Sequence, residues 1–219
     1  DKFIVIDKSE VWLGSMNFTD SGTYDDNNHI MRIHSTKIAE NYTTEFEEMF
    51  NENLFGENVR AATPHPALTI DEVDIKNYFS PDDGVLSALA PVLDSAQESV
   101  YFLAFSFTSN ELGDIVRAKD AAGLIVRGVM EDEQVKSNQG TEYDPFLQAG
   151  LDVRVDGNAG QMHHKVFIID EKIVVLGSYN FSQSAETRND ENVLIIYNEA
   201  IAQQFMQEFE RIWSLTRAN

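Results

Sequence analysis

A shift of 163 positions lays one stretch of this chain on another, and no other feature limits its folding as tightly. Lys2 falls on Lys165, Asp7 on Asp170, Gly14-Ser15 on Gly177-Ser178 and Asn17-Phe18 on Asn180-Phe181. At the same offset and without a gap, Ile38-Ala39 meets Ile201-Ala202 and Glu45-Phe46-Glu47 meets Glu208-Phe209-Glu210. Sixteen of the fifty positions from Lys2 onward are identical. Self-similarity at one fixed spacing marks a supersecondary unit used twice. The expected organisation follows from it. Residues 1–52 are the rear part of a first repeat, 53–77 a linker, and 78–219 a complete second repeat. The linker expectation rests on Gly56, Pro64 and Pro66 in a stretch without periodicity. On this reading the front of the first repeat lies upstream of Asp1.

Short apolar runs alternate with helical spacing, which predicts a layered α/β fold. Strands are expected at 3–6, 11–13, 30–33, 99–108, 124–130, 151–155, 166–169, 173–176 and 193–197. Helices are expected at 36–50, 85–96, 112–122, 143–149 and 199–215, the last with Ile201, Phe205, Phe209, Ile212 and Trp213 on one face.

The second repeat reads His163-x-Lys165-x4-Asp170-x6-Gly177-Ser178-x-Asn180. Residues i and i+2 of a strand share a face, so His163 and Lys165 project together. Gly177 lets the backbone leave the sheet sharply, returning Ser178 and Asn180 beside His163. An imidazole, an ammonium, a hydroxyl and an amide in one place suit a tetrahedral anion. The imidazole can then attack phosphorus or protonate a leaving oxygen. In-line displacement at a phosphodiester needs both tasks on opposite sides, hence two such clusters facing each other. The repeat supplies the second, and two lysines with two asparagines would stabilise the transition state without a metal ion or other cofactor. His164 points away from His163 and is read as a packing or supporting residue. His29, His34 and His65 are read as isolated. The aromatic strand Tyr101 to Phe107 is read as core. A zinc site on His163 and His164 does not fit, because strand neighbours diverge and no third ligand is suitably spaced.

These motifs resemble the phospholipase D superfamily, in which two HxKxxxxD motifs, each followed by GSxN, meet across a pseudo-twofold axis. Six specified residues arise by chance at about 10⁻⁸ per starting position. The second copy matches in full. The first matches at Lys2, Asp7, Gly14, Ser15 and Asn17, and its histidine would sit one residue before Asp1. The resemblance implies an α/β/α sandwich with a mixed β-sheet and a pseudo-twofold repeat whose first copy is truncated. It implies catalytic roles for His163, Lys165, Asn180, Lys2 and Asn17, phosphate binding by Ser178, Ser15, Lys165 and Lys2, and structural roles for Asp170, Asp7, Gly177 and Gly14. A carboxylate after GSxN commonly holds the nucleophilic histidine's other ring nitrogen, and that role falls to Glu191, with Asn28 at the first repeat's equivalent place. His163 is therefore expected to form a phosphohistidine, with the first-repeat histidine as general acid.

The implied function is metal-independent phosphodiester hydrolysis on phospholipid head groups or another small phosphodiester. A nuclease is the alternative, because small bacterial nucleases with one motif per chain resemble the second repeat in length and in its NxEN segment. A net charge of −21 opposes that alternative, since polyanions are bound through many basic contacts. A third reading is a catalytically inactive binding module, with one motif histidine. Activity would then require a homodimer of residues 78–219 or association with the missing N-terminal half. No apolar run approaches the roughly 20 residues of a membrane span. The absence of cysteine excludes disulfides and thiol chemistry. Any secretory signal would lie upstream, which leaves a secreted or periplasmic location open.

Overall fold

The computed structural model describes residues 1–60 and 62–216. Three strands, β1 (Phe3–Ile6), β2 (Glu10–Gly14) and β3 (Ile30–His34), form an antiparallel sheet in that order. A short helix α1 (Asp20–Tyr24) lies between β2 and β3, and α2 (Thr36–Glu52) follows. The rest of the chain adds β4 (Ala67–Ile70), β5 (Val73–Ser80), α3 (Val85–Asp94), β6 (Ser99–Ala104), α4 (Asn110–Ala121), β7 (Ile125–Met130), α5 (Asp132–Ser137) and α6 (Tyr143–Ala149). It ends with β8 (Asp152–Val155), β9 (Lys165–Ile169), β10 (Ile173–Gly177), α7 (Gln183–Thr187), β11 (Glu191–Tyr197) and α8 (Glu199–Leu215). The eight strands from β4 onward make one sheet in the order β4-β5-β11-β10-β9-β6-β7-β8. It is mixed, parallel across β6-β7-β8 and antiparallel elsewhere.

Central strands with both faces covered must be apolar at every position, and this explains the unbroken runs. Along β6, Val100, Phe102 and Ala104 join one core with α3, α4 and α6, while Tyr101 and Leu103 join the core on the other face. β9 alternates in the same way, with Phe167 and Ile169 to the first core and Val166 and Ile168 to the second. The second core is shared between the repeats. Val11, Leu13, Ile33, Ile38 and Tyr42 pack there with Phe79, Phe209 and Trp213. Helices therefore cover both faces of the large sheet, the expected α/β/α arrangement.

The repeat is visible element by element. β1, β2, β3 and α2 share the order of β9, β10, β11 and α8, and the helices at 36–52 and 199–215 are offset by the same 163. Asp7 and Lys8 at the β1–β2 turn and Asp170 and Glu171 at the β9–β10 turn all have φ between 51° and 53°, the left-handed pair that a hairpin turn of type I′ demands.

The expected linker needs correction. β4 and most of β5 fall within 53–77, and β5 pairs along its whole length with β11, from Glu191↔Ser80 to Tyr197↔Asp74. Its sequence alternates Val73, Ile75, Asn77 and Phe79 with Asp74, Lys76 and Tyr78, and the charged half hid a strand whose inner face is buried.

Candidate active site

His163 sits just before β9, with Lys165 as that strand's first residue. Both are buried, at 7% and 2% exposure. Their shared orientation is visible in Phe105, which follows β6. Its ring meets the His163 ring edge-on at 4.6 Å and lies 4.7 Å from Lys165 Nζ. Lys165 also donates to the His163 carbonyl at 3.0 Å. The sequence reading left Phe105 in an all-core strand. It comes directly after Ala104, the last residue of β6, and is half-buried beside the two motif residues.

Residues of the other repeat fix the imidazole. His163 N–H donates to the Asn27 carbonyl at 2.7 Å, and Nδ1 lies 2.9 Å from the Ser15 carbonyl. A carbonyl can only accept, so Nδ1 carries the proton and Nε2 keeps a lone pair. Burial, reinforced by the charge of Lys165, holds this histidine down to about 3, so it is neutral at ordinary pH. Burial and then the facing Lys2 push the Lys165 ammonium well below its usual range, while Glu191 opposes them. A bound phosphate would favour its charged form.

The Glu191 expectation is overturned. Its carboxylate does not meet His163, whose Nδ1 is taken by Ser15. Instead Glu191 Oε2 lies 4.0 Å from the Asp1 nitrogen, and Oε1 accepts a 3.4 Å bond from Asn189. The carboxylate of the second repeat thus faces the beginning of the first, because β11 runs past β10 toward the opposite repeat. Asn28 is likewise engaged elsewhere, donating to the Gly22 carbonyl.

Ser15 and Ser178 also need correction. Each is buried, and each hydroxyl accepts the backbone N–H found fourteen residues later, of His29 at 3.2 Å and Asn192 at 3.1 Å. These oxygens lock the strand pair after the glycine rather than lying open to a phosphate. Gly14 and Gly177 allow the approach. A Cβ on Gly177 would lie 2.1 Å from the Asn192 carbonyl oxygen, and one on Gly14 2.3 Å from that of His29.

Asn17 and Asn180 are half-buried, and Asn180 Oδ1 has no partner among the described residues. Lys2 and Asn17 line an opening of about 580 Å³ together with Phe18, Phe46 and Phe55. Asp170 has the structural role expected of it, accepting the backbone N–H groups of Gln97, Glu98 and Ser99 at 2.8–3.1 Å. Asp7 holds the matching turn position. Among the described residues no group of three metal-ligating side chains converges, and no helix is long and apolar enough to cross a membrane.

The family model described as cardiolipin synthase, PLD-like domain, matches residues 1–50 and 71–213. A mitochondrial cardiolipin hydrolase of Chlamydomonas reinhardtii is 34% identical over 130 residues, covering 59% of this chain and 58% of that protein. The chain spans from half to a little over three-fifths of the length of the cardiolipin hydrolases it matches. Among solved structures, a phospholipase D family member from Salmonella typhimurium is 28% identical with a TM-score of 0.60, covering 67% of this chain and 97% of that one. A phosphatidylserine synthase from Haemophilus influenzae shares the fold alone. It is 11% identical with a TM-score of 0.71, over 99% of this chain and 62% of that one.

Proposed function

The chain belongs to the phospholipase D-like family, and from that premise we propose that it carries out metal-independent phosphodiester hydrolysis through a phosphohistidine on His163. One observation carries the assignment: Nδ1 of a buried, neutral imidazole is committed to the Ser15 carbonyl, which leaves the Nε2 lone pair for phosphorus. In the first step Nε2 forms a bond to phosphorus while the bond to the leaving oxygen breaks. That oxygen takes its proton from a general acid. Water then attacks phosphorus, giving its proton to the general acid left deprotonated by the first step, and the P–Nε2 bond breaks to release the neutral histidine. Lys165 and Lys2, with Asn180 and Asn17, would hold the non-bridging oxygens as charge builds on them.

By the resemblance, that general acid would be the motif histidine of the facing repeat. Glu191 Oε2 is buried without a hydrogen-bond partner among the described residues and lies 4.0 Å from the Asp1 nitrogen, at the edge of the first repeat. Glu191 would orient that imidazole rather than His163, as a carboxylate does in a catalytic triad. The contacts of Ser15 and Asn27 with His163 support a reading in which residues 1–52 occupy the face that a second copy of 78–219 would need. Dimerisation through that face would require their displacement.

A phospholipid is the favoured substrate. The curated relatives named above are cardiolipin hydrolases, and the −21 charge works against long polyanions. A nuclease is the second reading, because the second repeat resembles small bacterial nucleases with one motif per chain in length and in its NxEN segment. The deciding assay compares cardiolipin and phosphatidylcholine vesicles with a single-stranded oligonucleotide in excess EDTA. Faster Lys165-dependent cleavage of the oligonucleotide would reverse the order. Acid-quench trapping with mapped phosphate tests the nucleophile, and a label on any other histidine sinks the assignment.

A further inference from the structure

The proposed chemistry uses His163 and leaves unexplained a buried row of hydrogen-bonding groups behind it. His164 is 0% exposed and stacks on His29, with ring centroids 5.3 Å apart and the two Nδ1 atoms at 3.1 Å. His164 Nε2 lies 3.0 Å from Glu208 Oε1. Arg211 grips Glu208 at 2.7 and 2.8 Å and also reaches Asn27 Oδ1 at 2.7 Å. At the other end, Ser15 Oγ lies 3.1 Å from His29 Nδ1 and accepts the His29 backbone N–H. Both ends of the row therefore touch a residue that holds His163. Ser15 supplies the carbonyl on its ring, and Asn27 the carbonyl on its backbone N–H.

Donors and acceptors along the row follow from one end. Burial works against a charge on Glu208, but Arg211 and His164 outweigh it and keep the carboxylate ionised. An ionised carboxylate only accepts, so His164 Nε2 carries a proton. Burial keeps His164 neutral, so its Nδ1 is a lone pair, and the proton between the two rings must sit on His29 Nδ1. His29 Nε2 is then unprotonated, and it is the ring nitrogen of the row with no partner among the described residues. The other half of the molecule repeats the plan with different chemistry. At the offset of 163, Asn192 and Asp1 stand in for His29 and His164. Asn192 Nδ2 lies 3.3 Å from Ser178 Oγ and 2.9 Å from Asp1 Oδ1.

We infer that His29, His164 and Glu208 form a latch between the repeats that positions His163, fixing the Ser15 and Asn27 carbonyls on which its tautomer and orientation depend. These are positioning residues, and the inference rests on the reading of His163 as the reacting histidine. Nitrogen-15 histidine spectra of the 219-residue chain test it without any substrate. The expected tautomers are Nε2–H on His164 and Nδ1–H on both His29 and His163. Glu208→Ala should abolish the His164 signature and with it the single Nδ1–H signature of His163. Glu208→Gln, whose amide oxygen still accepts, should keep both. A wild-type chain with the His164 proton on Nδ1 overturns the latch, whatever the variants do. So does a Glu208→Ala chain in which His164 changes and His163 does not. In phosphodiester assays the alanine variant should lose kcat, up to about a hundredfold, at unchanged KM and with rescue by glutamine. Because the spectra need no turnover, failure of the proposed hydrolysis would leave the latch separately decided.

Discussion

His163 and Glu45 are both buried, and their charges are displaced in opposite senses. The imidazole titrates at about 3 rather than 6.5, from burial and then Lys165. Between those values the unfolded chain binds the extra proton, so this residue lowers stability as pH falls from 6.5 toward 3. The catalytic consequence is an acid limb of kcat/KM far below pH 6, and an NMR titration of His163 midway near 6.5 would contradict it. Burial, then Asp82, Glu48 and Asp190, raises Glu45 to about 8 from 4.5. The folded chain holds that proton, so its contribution is complete below pH 4.5 and lost as pH rises through 8, by up to about 1.4 kcal/mol per pH unit. Glu45→Gln should therefore raise Tm at pH 8 and change it little at pH 4.5, as calorimetry at both values would reveal. Lys165→Ala should cost about 10²–10³ in kcat, and Lys165→Arg should not restore it, because a planar fork does not replace a buried point charge. The pairing of His163 with Lys165 was legible from strand periodicity alone. The partner of His163 was not, because it is a backbone carbonyl from the other repeat and carries no side-chain signature.

The elements that aim these side chains are short hairpins, and their turns hold the strictest local requirements. Gly177 has φ +149° and faces a carbonyl oxygen 2.1 Å from where its Cβ would be. Gly177→Ala should destabilise the fold by at least about 2 kcal/mol, read from urea midpoints, and equal midpoints would refute the packing argument. Asp170 gathers three backbone N–H groups at the entry to β6. Burial raises its carboxyl, but these bonds outweigh that effect and hold it below 3.8. Its stabilisation is thus present above that value and lost as pH falls through the depressed one. Asp170→Ala should cost about 3 kcal/mol at pH 7. Element types were legible wherever an apolar run or a helical stripe was long, as in β9, β10, α2 and α8. β4 and β5 were missed because Thr69, Asp74 and Lys76 interrupt their apolar positions, so neither offers an unbroken apolar run.

Across the whole molecule, equivalent positions in the two repeats meet different surroundings. Phe18, Phe46 and Phe50 are 52%, 47% and 73% exposed, whereas Phe181, Phe209 and Trp213 at the same offset are 1%, 0% and 8% exposed. In the second repeat Phe209 packs on Tyr101 of β6, and Phe181 packs on Phe107 and Phe167. Trp213 lies under the guanidinium groups of Arg127 and Arg154 at 4.0 and 3.7 Å. Phe50→Ala should therefore change stability by less than about 0.5 kcal/mol, and Trp213→Ala should cost roughly 3–5 kcal/mol. Because one core joins residues from both repeats, they should unfold together. Single-tryptophan variants retaining Trp12 or Trp213 would report one shared transition, and two separate midpoints would show that the repeats are independent.

The sequence by itself determined the repeat, the α/β class and the pairing of His163 with Lys165. All of these follow from spacing along one strand or one helix, where geometry is local. Tertiary structure alone decided that Ser15 and Asn27 hold His163, that Glu191 faces Asp1, and that His29 joins His164 and Glu208. Each of those contacts crosses from one repeat to the other over more than a hundred residues. Such a contact depends on how two sheets pack through a shared core, and periodicity within either repeat contains no information about that packing.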